Sequence, residues 1–146
     1  MYFVCTCVQF IFIFLWEGEH DMRMILLGTG GSGKGTQAAK IKKMYGIPHI
    51  STGDIFRDHI SRGTEVGLEA KEYISKGALV PDEVTLKLIK SRLAEADCEK
   101  GFLLDGFPRN RKQAIALEKE LGLRGEGIDA VLKLDVKEET ILQRTA

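Results

Sequence analysis

The sequence predicts an α/β fold in which a parallel sheet is flanked by helices, and two observations predict it. Short apolar segments, among them Met24–Leu27 and Phe102–Leu104, alternate with segments of helical periodicity. The first apolar segment also runs directly into a glycine-rich loop that opens a helix. Strands that alternate with helices pair in parallel, and the ligands of such sheets bind beyond the carboxyl ends of the strands. We therefore expect the loops after these two strands to meet at one site.

The first strand and helix are predicted from local signals. Apolar Met24–Leu27 forms a strand, and a helix follows over Lys34–Tyr45. Gly46 and Pro48 end that helix, because glycine favours a left-handed cap and proline cannot continue a helix. An extended piece follows at His49–Ile50.

Three further helices are predicted before the next strand. The first spans 51–60, and the second is capped by Thr64 and stops at Gly77. The third opens at Pro81-Asp82, because proline suits the first turn of a helix. Its apolar residues recur at near-helical spacing, at Val84, Leu88 and Leu93.

The remaining chain alternates strand and helix again. The strand Phe102–Leu104 ends in Asp105. A helix is predicted over Lys112–Leu121, then a strand over Ala130–Leu134, and then a last helix that runs to Ala146.

The glycine-rich loop, GTGGSGKGTQ over 28–37, predicts a phosphate-binding loop. Backbone N–H groups and the positive end of the following helix point at one spot, and the ammonium of Lys34 completes an anion site. The general pattern places Ser or Thr directly after the lysine to bind Mg²⁺. Here Gly35 intervenes and Thr36 comes one position later. We expect Thr36 to contact a phosphate and the metal to be held through water and distant carboxylates.

Charged residues follow the strand Phe102–Leu104 as well. Asp105 suits a carboxylate that faces Mg²⁺ through water, and a turn-forming aspartate is the alternative. Arg109 follows a turn that Pro108 stiffens, so its guanidinium presents a two-pronged donor to phosphate oxygens. A third polar group lies at the start of the helix 51–60 and comprises Thr52, Asp54 and Arg57. For this group an anion site and an ordinary helix cap are equally consistent with the residues.

Composition limits the function only weakly. The 146 residues suit one domain, and 21 basic residues balance 21 acidic ones, so net charge indicates no nucleic-acid partner. Cys98 is the one thiol after residue 22, no paired metal-binding spacing occurs, and a reducing cytoplasm fits this cysteine usage. The three histidines share no spacing, and we interpret them as surface or internally hydrogen-bonded residues.

Residues 1–21 form an apolar extension ahead of the predicted domain, 22–146. Residues 2–16 contain four of the seven phenylalanines and the one tryptophan. As a helix they span about 22 Å, short of the roughly 30 Å hydrocarbon core of a membrane. Three readings remain: a weak membrane anchor, an added strand or helix, or translated sequence upstream of the true start. We favour the last, because Met22 stands two residues before the first strand.

Four segments together resemble the adenylate kinase family. They are GTGGSGKGTQ (28–37), GIPHISTGDIFR (46–57), GALVPDE (77–83), and GFLLDGFPR (101–109) with Gln113. They occur in the family's order across 22–146. The resemblance implies reversible phosphoryl transfer from ATP to AMP with Mg²⁺, by a cytoplasmic monomer that serves adenine nucleotide homeostasis. It also implies that residues 51–80 are a small helical AMP-binding subdomain inserted in the core.

The resemblance also implies site residues. The ATP-binding residues are Gly31, Ser32, Gly33, Lys34, Gly35, Thr36 and Arg144, the last packing on the adenine. The AMP-binding residues are Thr52, Arg57, Ala78, Leu79, Val80, Gly106, Phe107, Pro108, Arg109 and Gln113. Lys34 and Arg109 are the catalytic pair, and Asp54 and Asp105 order the water around Mg²⁺. No general base is expected, since phosphoryl transfer is mostly positioning and charge neutralisation.

The sequence departs from the family pattern at three places. Gly30 replaces the usual proline, and Asn110 replaces the usual threonine. The chain also stops at Ala146, before the family's lid with its phosphate-clamping arginines and before the last strand and helix. We expect an unpaired sheet edge there. Because such arginines are worth roughly 10³–10⁵ in rate, we also expect slow transfer by this chain alone.

Three alternatives stay open. A kinase of UMP or CMP has the same overall pattern, although Thr52 favours adenine because pyrimidine relatives carry alanine there. A nucleotide-binding module without activity is the second alternative, and a truncated product that folds poorly is the third.

Overall fold

The computed structural model describes residues 2–5, 21–29 and 32–134. These fall into two compact units. The first comprises the described residues of 1–49, 100–105 and 128–146, and the second comprises 50–99 and 106–127.

The first unit is built on a parallel sheet. The strands are β1 (Tyr2–Cys5), β2 (Met22–Gly28), β3 (His49–Ser51), β4 (Gly101–Asp105) and β5 (Ala130–Leu134). They are ordered β1-β5-β2-β4-β3, and the last two residues of β3 belong to the second unit. Strand β2 pairs in parallel with β4 on one side and with β5 on the other. The predicted α/β fold with a parallel sheet is confirmed.

Helix α1 (Lys34–Tyr45) packs its apolar side on β2 and β4. The buried cluster here comprises Met24, Leu26, Ala38, Ile41, Ile47 and Leu103. The middle of β2 and most of β4 are buried at every position rather than at alternate ones. Such continuous apolar runs are typical of strands whose two faces are both covered.

The second unit is helical. Its helices are α2 (Thr52–Ser61), α3 (Glu65–Ser75), α4 (Asp82–Leu93) and α5 (Arg111–Leu123), with a 3₁₀ turn at Ala96–Cys98. The hydroxyl of Thr64 accepts a hydrogen bond from the Gly67 N–H at 3.1 Å, which confirms the predicted cap of α3. A Cβ at Gly67 would lie 2.3 Å from the carbonyl oxygen of His59, so only glycine lets α3 approach α2 this closely.

The predicted elements are confirmed, apart from the last helix, which lies outside the described residues. Strand β2 begins two residues earlier than predicted, because Met22 and Arg23 pair with the first residues of β4.

The prediction of an unpaired sheet edge is wrong for β5. Strand β1 pairs with it in parallel, with Tyr2 opposite Val131 and Cys5 opposite Leu134. Of the three readings of residues 2–16, the added strand describes Tyr2–Cys5, and residues 6–16 lie outside the described residues. Within the described ranges, no helix has the length and apolar character needed to cross a membrane.

Candidate functional site

The glycine-rich loop begins where β2 ends, and its first residue, Gly28, lies close to three side chains. A Cβ at Gly28 would lie 2.7 Å from the Ser32 hydroxyl oxygen, 3.1 Å from Lys34 Cγ and 3.3 Å from Leu134 Cβ. The chain thus turns back closely over the end of its own strand. The Ser32 N–H donates to the Thr29 carbonyl at 3.1 Å and closes this turn.

The Ser32 hydroxyl is buried and has no hydrogen-bond partner among the described residues. A buried hydroxyl without a partner is costly, because it has lost its hydrogen bonds to water. It lies in the glycine-rich loop two residues before Lys34, where it can donate a hydrogen bond to a bound anion.

The start of α1 adds more donors. Gly33 precedes the helix with φ of 88°, and no side chain caps it. The first helical hydrogen bond runs from the Gln37 N–H to the Gly33 carbonyl at 3.1 Å. The backbone N–H groups of Lys34, Gly35 and Thr36 therefore precede the helical hydrogen-bond ladder, and the first turn carries no acidic residue.

Asp105, at the carboxyl end of β4, lies between two basic groups. Its Oδ1 atom is 3.3 Å from Lys34 Nζ, and its Oδ2 atom is 3.0 Å from His49 Nε2. This contact brings the phosphate loop to the carboxyl end of β4. The loop that follows β4 belongs to the second unit, so its meeting with the phosphate loop stays a prediction. The side chain of His49 is hydrogen-bonded within the protein, which is one of the two interpretations given above for the histidines.

In the second unit, the turn after β4 is held by Thr52 and Arg109. The Thr52 hydroxyl donates to the Gly106 carbonyl at 3.4 Å, and Arg109 Nε donates to the same oxygen at 2.8 Å. Gly106 has φ of 79°, and a Cβ there would lie 3.0 Å from the Thr52 hydroxyl. Thr52 is buried, whereas Arg109 is exposed at the protein surface.

A polar network fixes Gln113 at the start of α5. Its Nε2 atom donates to Asp82 Oδ1 at 2.8 Å, and its Oε1 atom accepts from the Arg109 N–H at 2.7 Å. Asn110 caps the helix by accepting from the Gln113 N–H at 2.9 Å, and it donates to Asp82 Oδ1 at 3.0 Å. Asn110, which stands where the family usually has threonine, therefore caps α5 and also holds Asp82 in place.

Two further groups of predicted residues lie at the surface of the second unit. Arg57 forms an ion pair with Asp54 one helical turn away, and both side chains are exposed. In the segment 78–80, Leu79 is 87% exposed, which is unusual for a large apolar side chain.

A family model described as adenylate kinase matches residues 26–146, the part of the chain that contains the loop, Lys34, Asp105 and Gln113. The chain belongs to the adenylate kinase family. Its relatives include adenylate kinases of Clostridium novyi at 59% identity, Caldicellulosiruptor saccharolyticus at 55% and Oceanobacillus iheyensis at 56%. Each match covers 84% of this chain and 57% of the relative, so the chain spans little more than half the length of these relatives.

The structure brings together only some of the residues that the adenylate kinase resemblance implies. Ser32, Lys34 and Asp105 lie together in the first unit. Thr52, Gly106, Arg109 and Gln113 lie together in the second. The convergence of Lys34 with Arg109 stays a prediction, since these residues belong to different units. Gly31 and Arg144 lie outside the described residues.

Phe107, predicted to bind AMP, has no exposed side chain. Its side chain is fully buried among the apolar residues of α4 and α5. Only its backbone is therefore available to a nucleotide, and its ring is part of the core of the second unit.

Sequence reasoning missed His49 as a partner of Asp105 and Asp82 as a partner of Gln113. The adjacency of β3 and β4 was the signal for His49, but it depends on strand order, which local sequence does not give. No local signal marked Asp82, because its partner is 31 residues away.

Proposed function

We propose that this chain binds ATP and AMP as the nucleotide-binding part of an enzyme that transfers the terminal phosphoryl group of ATP to AMP, giving two ADP. The observation that carries the proposal is the buried hydroxyl of Ser32, which has no hydrogen-bond partner in the described part of the chain, together with the Lys34–Asp105 pair. An anionic phosphate at this place supplies the partner that the hydroxyl lacks and accepts hydrogen bonds from the uncapped start of α1.

On the ATP side, Gly31, Ser32, Gly33, Gly35 and Thr36 offer donors to the phosphates, while Lys34 neutralises charge. Because Asp105 holds the Lys34 ammonium in place, the charge is oriented before the nucleotide arrives. Arg144 packs against the adenine in this proposal.

On the AMP side, Arg109 binds the phosphate, with its guanidinium oriented by the Gly106 carbonyl. Arg57 offers a second cation, released from Asp54. Thr52 and Gln113 face the purine, and Ala78, Leu79 and Val80 cover the base and ribose, which accounts for the exposure of Leu79. Gly106, Phe107 and Pro108 contribute backbone.

Mg²⁺ fits the carboxylate of Asp105. The described residues contain no cluster of three or more aspartate, glutamate, histidine or cysteine side chains that could bind a metal ion by themselves. Mg²⁺ keeps most of its water and binds through one or two carboxylates together with substrate phosphates, which a single carboxylate beside a phosphate loop allows. When bound, the ion neutralises charge on the phosphates. Asp54 is a second proposed holder of its water shell.

We further propose a cytoplasmic monomer without a nucleic-acid partner or membrane attachment, on the strength of the family resemblance and the balanced charge. A second candidate function is nucleotide binding without turnover. It is favoured by the character of the site in the first unit, because the uncapped start of α1 and the Ser32 hydroxyl are donors that bind an anion whether or not transfer follows.

One experiment separates these proposals. The purified chain is incubated with Mg²⁺ and ATP together with AMP, CMP, UMP or GMP, and diphosphate formation is followed. Binding of each nucleotide is measured by calorimetry in parallel. We expect AMP to bind in preference to the pyrimidine nucleotides and to be the acceptor. Binding without diphosphate supports the second candidate, preference for UMP or CMP supports a pyrimidine kinase, and absence of binding overturns the proposal.

A further inference from the structure

Gln113 is held at both ends of its amide. It is 5% exposed, its Nε2 atom donates to the carboxylate of Asp82, and its Oε1 atom accepts from the Arg109 N–H. Asp82 is itself anchored, because Asn110 donates to the same carboxylate oxygen.

These partners determine which way the amide faces. A carboxylate only accepts hydrogen bonds and a backbone N–H only donates, so Nε2 must face Asp82 and Oε1 must face Arg109. A flipped amide would set oxygen against the carboxylate and NH₂ against the N–H, and both hydrogen bonds would be lost.

The two hydrogen bonds leave part of the amide free. A primary amide has two N–H donors and an oxygen with two lone pairs, so one donor and one lone pair remain at Gln113. Adenine offers an acceptor at N1 and a donor at its 6-amino group. Hypoxanthine reverses them, with a donor at N1 and an acceptor at O6. With the base held by the rest of the nucleotide, one orientation of the amide matches adenine and the flipped orientation matches hypoxanthine.

We propose that Asp82 is a positioning residue that fixes the Gln113 amide in the orientation that selects a 6-amino purine over a 6-oxo purine. The proposal rests on the proposed function, in which Gln113 faces the base of AMP. Asp82 itself does not touch the nucleotide in this arrangement, and it acts only by excluding the flipped amide.

The test compares AMP with inosine monophosphate, which differs only at the 6-position and N1. The variant Asp82→Asn keeps the size of the side chain but presents either oxygen or NH₂ to Gln113. We expect the dissociation constant of inosine monophosphate divided by that of AMP to fall by about tenfold. AMP should bind more weakly to the variant, and inosine monophosphate should bind more tightly. Glu83→Gln is the matched control, because it removes one negative charge from the same exposed helical turn and should leave the ratio unchanged.

The outcomes are distinct. If wild-type chain binds neither nucleotide, the proposed function fails. If wild-type chain prefers AMP, and both Asp82→Asn and Asp82→Ala, which removes the acceptor altogether, keep that preference, Asp82 does not orient the amide and this inference is overturned. If Asp82→Asn does not fold by circular dichroism, Asn110→Asp replaces it. That variant keeps an oxygen to cap α5 but removes the donor that anchors Asp82, so a smaller ratio supports the inference and an unchanged ratio contradicts it.

Discussion

Lys34 and Asp105 form an ion pair, with Nζ 3.3 Å from Oδ1, although 70 positions of chain separate them. The contact exists because parallel β2 and β4 end at the same edge of the sheet, where Leu26 stands opposite Asp105. It joins the phosphate loop to the last residue of β4, and both partners are largely buried.

Replacing this carboxylate should affect both stability and nucleotide binding. Asp105→Asn removes the negative charge beside Lys34 and leaves a partly buried ammonium uncompensated. We expect the free energy of unfolding to fall by about 1–3 kcal/mol. Urea denaturation measures this change, and ATP titrations with and without Mg²⁺ should show that the dependence on Mg²⁺ is weakened. Unaltered stability together with an unaltered response to Mg²⁺ would contradict the role given to Asp105.

The close turn at Gly28 should not tolerate a methyl group. Gly28→Ala places a Cβ 2.7 Å from the Ser32 hydroxyl oxygen, so either the Ser32 side chain must rotate or the loop must move. We expect a loss of about 1–3 kcal/mol in unfolding free energy and weaker ATP binding. In the control Gly122→Ala, the new Cβ meets nothing within 4 Å on helix α5, and we expect a gain of about 0.5–1 kcal/mol. Equal effects of the two substitutions would refute the close approach.

Strand β1 should protect the outer edge of β5. Val4→Pro places a fixed φ and a bulky ring in the middle of β1, opposite Lys133, and disturbs regular strand geometry. We expect faster amide hydrogen exchange across Val131–Leu134, measured by mass spectrometry of peptides. Exchange in Gly101–Leu104 serves as the internal control, since β4 pairs with β2 and not with β1. Unchanged protection of β5 would show that β1 does not pair with it in solution.

An ion cluster between α4 and α5 should make the second unit sensitive to acid. Lys90 Nζ lies 2.9 Å from Glu120 Oε2, and Arg124 lies 3.2 Å from the other oxygen. The hydrogen bond from Lys90, aided by Arg124, holds the pKa of Glu120 below its ordinary value of 4.5. Because the folded chain favours the charged carboxylate, this stabilisation is present above pH 4.5 and is lost as the pH falls through the lowered pKa.

The variant Glu120→Gln tests whether the Glu120 carboxylate stabilises the protein at neutral pH and ceases to do so in acid. We expect it to be less stable than wild type at pH 7 and to approach wild type as the pH is lowered from 5 towards 3, measured by denaturation at each pH. Glu118→Gln, an exposed glutamate on the same helix, is the control and should follow the wild-type profile. A constant difference between Glu120→Gln and wild type across this range would contradict the lowered pKa.

Elements with local signals were predictable from the sequence. The bounds of α1, Lys34–Tyr45, follow from the glycine loop before it and from Gly46 after it. The cap at Thr64 follows from its hydroxyl, which needs a partner only three residues away. The proximity of Lys34 and Asp105 was also predictable, because a general rule about parallel sheets places the strand ends together.

Contacts between distant segments were not predictable in this way. The pairing of β1 with β5 joins residues 2–5 to residues 131–134, and nothing in the apolar pattern of either segment specifies the register. The hydrogen bonds of Asp82 to Gln113 and of His49 to Asp105 depend equally on packing between elements. Local sequence therefore predicted the donors of the site but missed the residues that orient them.

The central claim is that the loop at Lys34 and the guanidinium of Arg109 serve different nucleotides. Calorimetric titration of ATP and AMP into Lys34→Met and Arg109→Gln measures this directly. We predict that Lys34→Met weakens the binding of ATP by about 10–100-fold and leaves the binding of AMP nearly unchanged. Arg109→Gln should weaken the binding of AMP by a similar factor and leave the binding of ATP nearly unchanged. The result would contradict these roles if one substitution weakened the binding of ATP and AMP equally, or if neither substitution weakened the binding of either nucleotide.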